Sequence, residues 1–220
     1  EISLVSPTLV EAGGAATTRA LAHFARRHEL AGVEFLAGIP GRVGGAVIMN
    51  AGAYGGDIGQ VLVAARVMDL QGQLHWSTAS DLGLGYRKSR IPAGWVVVGA
   101  RFQLHPTSGE MIRQRMREMN RKRSGSQPLA WPSAGSTFKN PDSGEKAWAL
   151  IEKAGMRGVR IGGAQVAEKH CNFLINLDNA SGEDMRRLIR LVTQRVWETS
   201  GILLELEVKV VESDGRAWSP

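Results

Sequence analysis

Cysteine is all but missing from this chain of 220 residues. Cys171 stands alone, so no disulfide can form within the chain, and a reducing compartment is expected. No apolar run approaches the roughly 20 residues that a membrane-spanning helix needs. The leading residues, Glu1-Ile2-Ser3-Leu4-Val5, show no basic stretch running into an apolar signal segment. A cytoplasmic location is therefore expected. His23, His28, His75, His105 and His170 have no spacing suited to a metal site, so no metal is expected. No strand–GxGxxG–helix unit occurs, and no Walker pattern, because Gly41 and Gly45 are not followed by Gly-Lys-Ser/Thr. A dinucleotide can still bind, but not in the Rossmann manner. Internal repeats and low-complexity tracts are also lacking.

What remains is ordinary globular material, 43% hydrophobic and 22% charged, enough for one large domain or two small ones. The net charge of +6 invites a nucleic-acid reading. The basic residues, however, gather in two amphipathic stretches, Arg113 to Arg123 and Arg186 to Arg195. In the second, Met185, Leu188, Ile189, Val192 and Val196 mark an apolar face at helical spacing, leaving the arginines on the solvated side. No aromatic-interleaved stacking platform accompanies them, so nucleic acid is not expected as a partner. An anionic small molecule explains the charge as well.

Periodicity predicts strands at 2–5 and 9–12, then a helix over 17–29 capped by Thr17 or Thr18. Strands follow at 61–70 and 73–78 about the turn Gln71-Gly72, and at 95–104. His105-Pro106-Thr107-Ser108-Gly109 breaks the chain, which sets an expected domain boundary after residue 105. Beyond it come a basic helix at 110–123, a helix at 146–154 ended by Gly155, a strand at 173–177, a helix at 182–200 and a last strand at 202–211. On that last strand Glu205, Glu207 and Lys209 share one face.

Two stretches carry unusual chemistry. Residues 37–56 contain seven glycines interleaved with Ile39, Val43, Val47, Ile48 and Met49, too apolar for a flexible linker. Such a run suits a backbone lying against a flat or phosphorylated ligand, with N–H groups aimed at anionic oxygens. Residues 132–141, Pro-Ser-Ala-Gly-Ser-Thr-Phe-Lys-Asn-Pro, put the Ser136 hydroxyl beside the Lys139 ammonium and the Asn140 amide. That set fits an oxygen-rich anion. The same residues also make ordinary turns, and chemistry alone does not separate the two readings. His170 fits a structural or a site-lining role equally.

The ordered motifs resemble the UDP-N-acetylenolpyruvoylglucosamine reductase family. They are Glu34-Phe35-Leu36-Ala37-Gly38-Ile39-Pro40-Gly41 with Gly44-Gly45-Ala46 and Met49 to Gly55; Gly85-Tyr86-Arg87-x-Ser89; Gln127-Pro128; residues 132–141; Ile151-Glu152-Lys153-Ala154-Gly155; Glu168-Lys169-His170-x-Asn172-Phe173; and Leu204-Glu205-x-Glu207-Val208. Ala167 stands where the family often has serine. The resemblance implies an α+β chain. Residues 1–105 form the second part of a split α/β FAD-binding domain of the vanillyl-alcohol-oxidase-like kind, and residues 106–220 a smaller α+β domain for the UDP-sugar substrate. It implies reduction of the enolpyruvyl ether of UDP-N-acetylglucosamine to UDP-N-acetylmuramate, with non-covalent FAD and NADPH, in peptidoglycan precursor synthesis.

The resemblance also assigns roles. Ser136 is implied as proton donor, with Arg87 and Glu207 as partners of the substrate carboxylate. Gly38, Ile39, Pro40, Gly41, Gly44, Gly45, Asn50, Ala51, Gly52 and Tyr54 are implied to contact FAD. Tyr86, Arg123, Lys139 and Asn140 are implied to contact the substrate. Glu207 is accordingly expected inward and buried. Family members carry a further leading segment that grips the flavin diphosphate, so the chain as printed is expected to bind FAD weakly or not at all. The short connection from Arg101 to Gln127 marks the compact type, without an inserted tyrosine-bearing loop. A monomer is expected. The alternative is a truncated, non-catalytic UDP-sugar-binding fragment; another oxidase of the same flavin fold is disfavoured by the absence of a covalent-flavin histidine pattern.

Overall fold

The computed structural model describes residues 1–218, apart from 143 and 213. The chain divides into two compact units, Glu1–Arg123 and Ser124–Pro220. In the first, β1 (Ile2–Ser6) and β2 (Leu9–Gly13) form an antiparallel pair. α1 (Thr18–Arg27) follows, and its N-cap Thr17 accepts from the Ala20 N–H at 3.0 Å. Such a cap typically stabilises a helix by about 1 kcal/mol. Leu21, Ala22 and Ala25 form the buried stripe of α1. Next come β3 (Leu30–Ala31), a 3-10 turn at Glu34–Gly38, α2 (Val43–Ile48), and the small hairpin β4 (Gly52–Ala53) and β5 (Gly56–Asp57). β6 (Leu62–Met68), β7 (Leu74–Thr78) and β8 (Val96–Gln103) complete a five-stranded antiparallel sheet in the order β1-β2-β8-β6-β7.

Alternation along β6 buries Leu62, Ala65 and Val67 and exposes Val63 and Arg66, so one face of the sheet builds the core with α1 and α2. β9 (His105–Pro106) pairs with β3, and α3 (Gly109–Ser126) comes after it. Ile112 and Met116 of α3 bury themselves in that same core. The units part between Arg123 and Ser124, within the last turn of that helix, and not at the chain break after residue 105.

The second unit is a four-stranded antiparallel sheet in the order β10-β13-β12-β11, formed by β10 (Ser133–Ser136), β11 (Arg160–Ile161), β12 (Ala164–Val166) and β13 (Phe173–Asn176). α4 (Ala147–Lys153) and α5 (Gly182–Ser200) pack on it through Leu150, Ile151, Leu188, Ile189, Val192 and Val196. A smaller cluster holds Ala167, Phe173 and Ile175. Ser181 and Asp184 close a reciprocal capping box at the start of α5, and Gly201 ends it at φ 68°. Arg186, Arg190 and Arg195 on the basic side of α5 are paired within the chain. Arg186 meets Glu183 and Glu212, Arg195 meets Glu198, and the Arg190 guanidinium lies 5.1 Å from the Trp218 ring centroid.

The strand expected over 202–211 does not form. Among the described residues of that stretch a strand forms at β14 (Val210–Val211), paired with β15 (Ala217–Trp218). Residues 205–207 spend backbone bonds on the chain just after β10 instead. The Lys139 N–H donates to the Glu205 carbonyl at 2.8 Å, and the Glu207 N–H to the Thr137 carbonyl at 2.9 Å. No helix among the described residues is long and apolar enough to cross a membrane.

Candidate active site

The glycine-rich run serves two purposes, and its glycines divide accordingly. Gly44 faces inward: a methyl added there would lie 2.8 Å from the Val97 carbonyl oxygen and 3.3 Å from that of Gly14. The Val43 and Gly44 N–H groups donate to the Ala16 and Gly14 carbonyls, so these donors stitch α2 to the turn between β2 and α1. Gly41, at φ 139°, and Gly45 face outward, where an added methyl would meet nothing within 4 Å. Thr18, buried on α1, fixes this loop by donating its hydroxyl to the Ile39 carbonyl at 2.5 Å. Its backbone N–H reaches the Gly41 carbonyl at 3.2 Å. Pro40 is exposed between these two anchored residues. Arg123 runs against Gly38, and its Nε is buried without a hydrogen-bond partner.

The second half of the run supports a different loop. Asn50 is buried and left-handed at φ 40°, and both ends of its amide are used within the chain. Its Nδ2 donates to the Gly85 carbonyl at 3.1 Å, and its Oδ1 accepts the Gly59 N–H at 2.8 Å. Ala51 donates to Ala46 at 2.8 Å, and the Gly52 carbonyl accepts from the Arg87 guanidinium at 3.1 Å. Tyr54, at φ 56°, sits exposed at the tip of the β4–β5 hairpin. Asn50, Tyr86 and Arg87 thereby line one cleft of about 560 Å³ together with Asp57, Gln60 and Ser80. The Arg87 guanidinium lies 5.1 Å from the exposed Tyr86 ring centroid, and Arg87 itself adopts φ 56°.

In the second unit the segment after Ser136 is held from both sides. On one side lies the buried Asn172, whose Oδ1 accepts the Phe138 N–H at 2.9 Å while its Nδ2 donates to the Phe138 carbonyl at 2.8 Å. On the other lie Glu205 and Glu207, through the backbone bonds to Lys139 and Thr137 given above. Ser136 and Glu207 are thus coupled through a single residue, Thr137. Glu207 is half-buried, where full burial was expected, because its segment lies along the chain after β10 and not within a sheet. It still differs from the exposed Glu205 and Lys209 on either side. Lys139 Nζ pairs with the Glu205 carboxylate, and the Asn140 Oδ1 accepts the Ala147 N–H at the start of α4. Burial holds the His170 imidazole below its ordinary range, and its Nδ1 accepts the Asn172 N–H at 3.3 Å. Burial likewise pushes the Cys171 thiol up, which makes it an inert core group.

Both units match known families. A model described as an FAD binding domain covers residues 4–78, and the C-terminal domain of UDP-N-acetylenolpyruvoylglucosamine reductase covers residues 127–211. The reductase of that name from Magnetococcus marinus is 51% identical over 211 residues, which make up 96% of this chain and 67% of the relative. The chain belongs to that reductase family. A second family member, from Gluconobacter oxydans, is 47% identical over 93% of this chain and 67% of its own length. The crystal structure of the reductase from Thermus caldophilus superposes with a TM-score of 0.79 at 40% identity, covering 90% of this chain and 70% of that one. The chain thus spans about two thirds of the length of the relatives it matches.

Membership makes FAD the cofactor and the architecture an FAD-binding domain followed by the reductase C-terminal domain. The residues present fit such a group. Gly41 and Gly45 leave an open backbone surface, and Arg123, with its unpaired Nε, sets a cation against the adjoining Gly38. Sequence reasoning missed Thr18 and Asn172 as supports, because each binds a backbone group 21 or 34 residues away. The available signal for Asn172 was its place in the Glu168 to Phe173 motif.

Proposed function

We propose that this protein reduces the enolpyruvyl ether of UDP-N-acetylglucosamine to UDP-N-acetylmuramate, with NADPH as the electron source, in the bacterial cytoplasm and as a monomer. The observation that supports this best is the coupling of Ser136 to Glu207 through Thr137, inside the region that matches the reductase C-terminal domain. Bound FAD supplies the hydride that adds to one alkene carbon. The chain's own residues manage the charge and the proton that this addition requires.

Arg87, on its strained turn, offers a planar guanidinium to the substrate carboxylate, where negative charge gathers. Ser136 gives its hydroxyl proton to the carbon bearing that carboxylate, and Glu207 stabilises the enol form from the neighbouring segment. Lys139 and Asn140 receive the uridine diphosphate. Lys139 is already matched to an anion, since Glu205 occupies its ammonium and a diphosphate can exchange with that carboxylate. Tyr86 borders the same cleft as Arg87.

The test is a split of the two half-reactions in the flavin-loaded protein carrying Ser136→Ala. NADPH should bleach the flavin absorbance as in the parent. Its return on adding the enolpyruvyl substrate should slow by about 10²- to 10⁴-fold. Return at the parental rate removes Ser136 as proton donor. Tight UDP-sugar binding with no bleaching at all points instead to a non-catalytic binding module.

A further inference from the structure

Asn172 belongs to a motif that the proposed chemistry does not use, yet its surroundings are unusually specific. β13 pairs with β10 in antiparallel register, Ser136 opposite Phe173. One rung further, the Thr137 N–H still finds the Asn172 carbonyl at 2.8 Å. Beyond that the ladder loses its partner strand, because the chain turns at His170, whose carbonyl accepts the Phe173 N–H at 2.9 Å. Phe138, 1% exposed, would then bury an unsatisfied N–H and carbonyl, a cost of about 1–3 kcal/mol for each group. The Asn172 side-chain amide takes the place of the missing peptide. It presents an acceptor to the Phe138 N–H and a donor to the Phe138 carbonyl, the same pair of groups a strand residue would present.

The amide does more than satisfy a core peptide. Residues 137–139 are pinned alternately, by Asn172 on one side and by Glu205 and Glu207 on the other. Of these pins, the bonds to Phe138 come from a side chain and the others from backbone. Two bonds to the N–H and carbonyl of one residue fix its rotation as well as its position. That rotation sets where Ser136 and Lys139, on either side, direct their side chains. We propose that Asn172 is a positioning residue for the second half-reaction. Its amide clamp on Phe138 sets the Ser136 hydroxyl against the substrate carbon while Glu207 is held through Thr137. The proposal rests on Ser136 being the proton donor.

The experiment uses the complete flavin-loaded protein with Asn172→Ala, Asn172→Asp, Ser136→Ala and the double variant Ser136→Ala/Asn172→Ala. Asn172→Asp keeps the shape and the acceptor for the Phe138 N–H and loses the donation to the Phe138 carbonyl. It therefore tests the clamp even where the alanine variant fails to fold. Both Asn172 variants should reduce their flavin with NADPH at the parental rate. Reoxidation by the enolpyruvyl substrate should slow by about 10- to 100-fold, the scale expected of a displaced reacting group. The double variant should be no slower than Ser136→Ala alone, since both changes remove one function. Without any ligand, hydrogen exchange at the Phe138 amide should quicken while that of α5 stays unchanged. Parental reoxidation in Asn172→Asp, multiplied losses in the double variant, or an unchanged Phe138 amide would each overturn the clamp. Failure of both variants to fold would also overturn it, leaving Asn172 as a folding residue. Should Ser136→Ala reoxidise at the parental rate, the proton-donor reading falls, an outcome distinct from any failure of Asn172.

Discussion

Asn50 hands its side-chain N–H to the Gly85 carbonyl at 3.1 Å, tying the glycine-rich run to the turn that carries Tyr86 and Arg87. Its carbonyl end accepts the Gly59 N–H at 2.8 Å, so one buried amide joins segments separated by 35 and by 9 residues. Alanine at this position leaves both backbone groups without a partner and keeps the left-handed backbone at φ 40°. Asn50→Ala should therefore lower unfolding stability by about 1–3 kcal/mol, the cost of unmatched buried polar groups. Urea denaturation of the parent and the variant measures it. An unchanged midpoint would mean that water serves Gly59 and Gly85 equally well.

The adjacent glycines of α2 should answer an added methyl in opposite ways. Gly44→Ala drives a carbon to within 2.8 Å of the Val97 carbonyl oxygen, a clash with backbone that α2 can relieve only by lifting off the sheet. It should cost about 1–3 kcal/mol of stability. Gly45→Ala meets nothing within 4 Å, and in a helix alanine is favoured over glycine by about 0.5–1 kcal/mol. If FAD lies along this outward face, Gly45→Ala should fold at least as stably as the parent and still lose flavin affinity, read by flavin fluorescence titration. Parental affinity in Gly45→Ala would move the flavin away from α2.

His170 gives the second unit a dependence on pH. Burial lowers its folded-state pKa, and Nδ1 accepts from the Asn172 N–H, so the native imidazole is neutral. In the unfolded chain it titrates near its ordinary value of about 6.5. Between the lowered native pKa and that value the unfolded state binds the extra proton, so stability rises with pH across the window. It is fully present above about pH 6.5 and is lost as pH falls below it. Urea midpoints measured from mildly acidic to neutral pH should show this slope, and His170→Gln should flatten it. An equal slope in both proteins would assign it to other groups.

Helices with caps were legible in the sequence, because the signals lie within a few residues. Thr17 ahead of α1 and Gly201 behind α5 stop their helices where the pattern places them. The β11–β12 hairpin was overlooked, although Gly162-Gly163 joins Ile161 to Ala164 in a two-residue turn, a recognised hairpin signal. Its strands are short, and the polar residues after it masked the pattern. The alternation over 202–211 was real but misleading. Only residues 205–207 of it lie along the Thr137 to Lys139 segment, forming an isolated bridge between Phe138 and Leu206, while Val210 and Val211 pair with Trp218 and Ala217. Candidate residues such as Arg87 and Ser136 could be named from motifs. Their supports could not, since Asn50, Thr18 and Asn172 act on carbonyls and N–H groups that carry no sequence identity.

Arg87 itself should carry a measurable backbone cost. It occupies the tight turn in which Gly85 and Lys88 exchange backbone hydrogen bonds at 3.0 and 3.2 Å, and it takes φ 56° where glycine is the natural occupant. Left-handed backbone costs a residue with a side chain about 1–2 kcal/mol, and such strain persists where the side chain is needed. Comparing Arg87→Ala with Arg87→Gly separates the two parts. Both lose the guanidinium, its bond to the Gly52 carbonyl and its contact with the Tyr86 ring, so both should lose turnover about equally, by roughly 10²- to 10³-fold. Only glycine releases the strain, so Arg87→Gly should unfold at a higher urea concentration than Arg87→Ala, by about 1 kcal/mol in free energy. Equal midpoints would show that the turn holds this conformation without cost. Parental turnover in either variant would remove Arg87 from the chemistry.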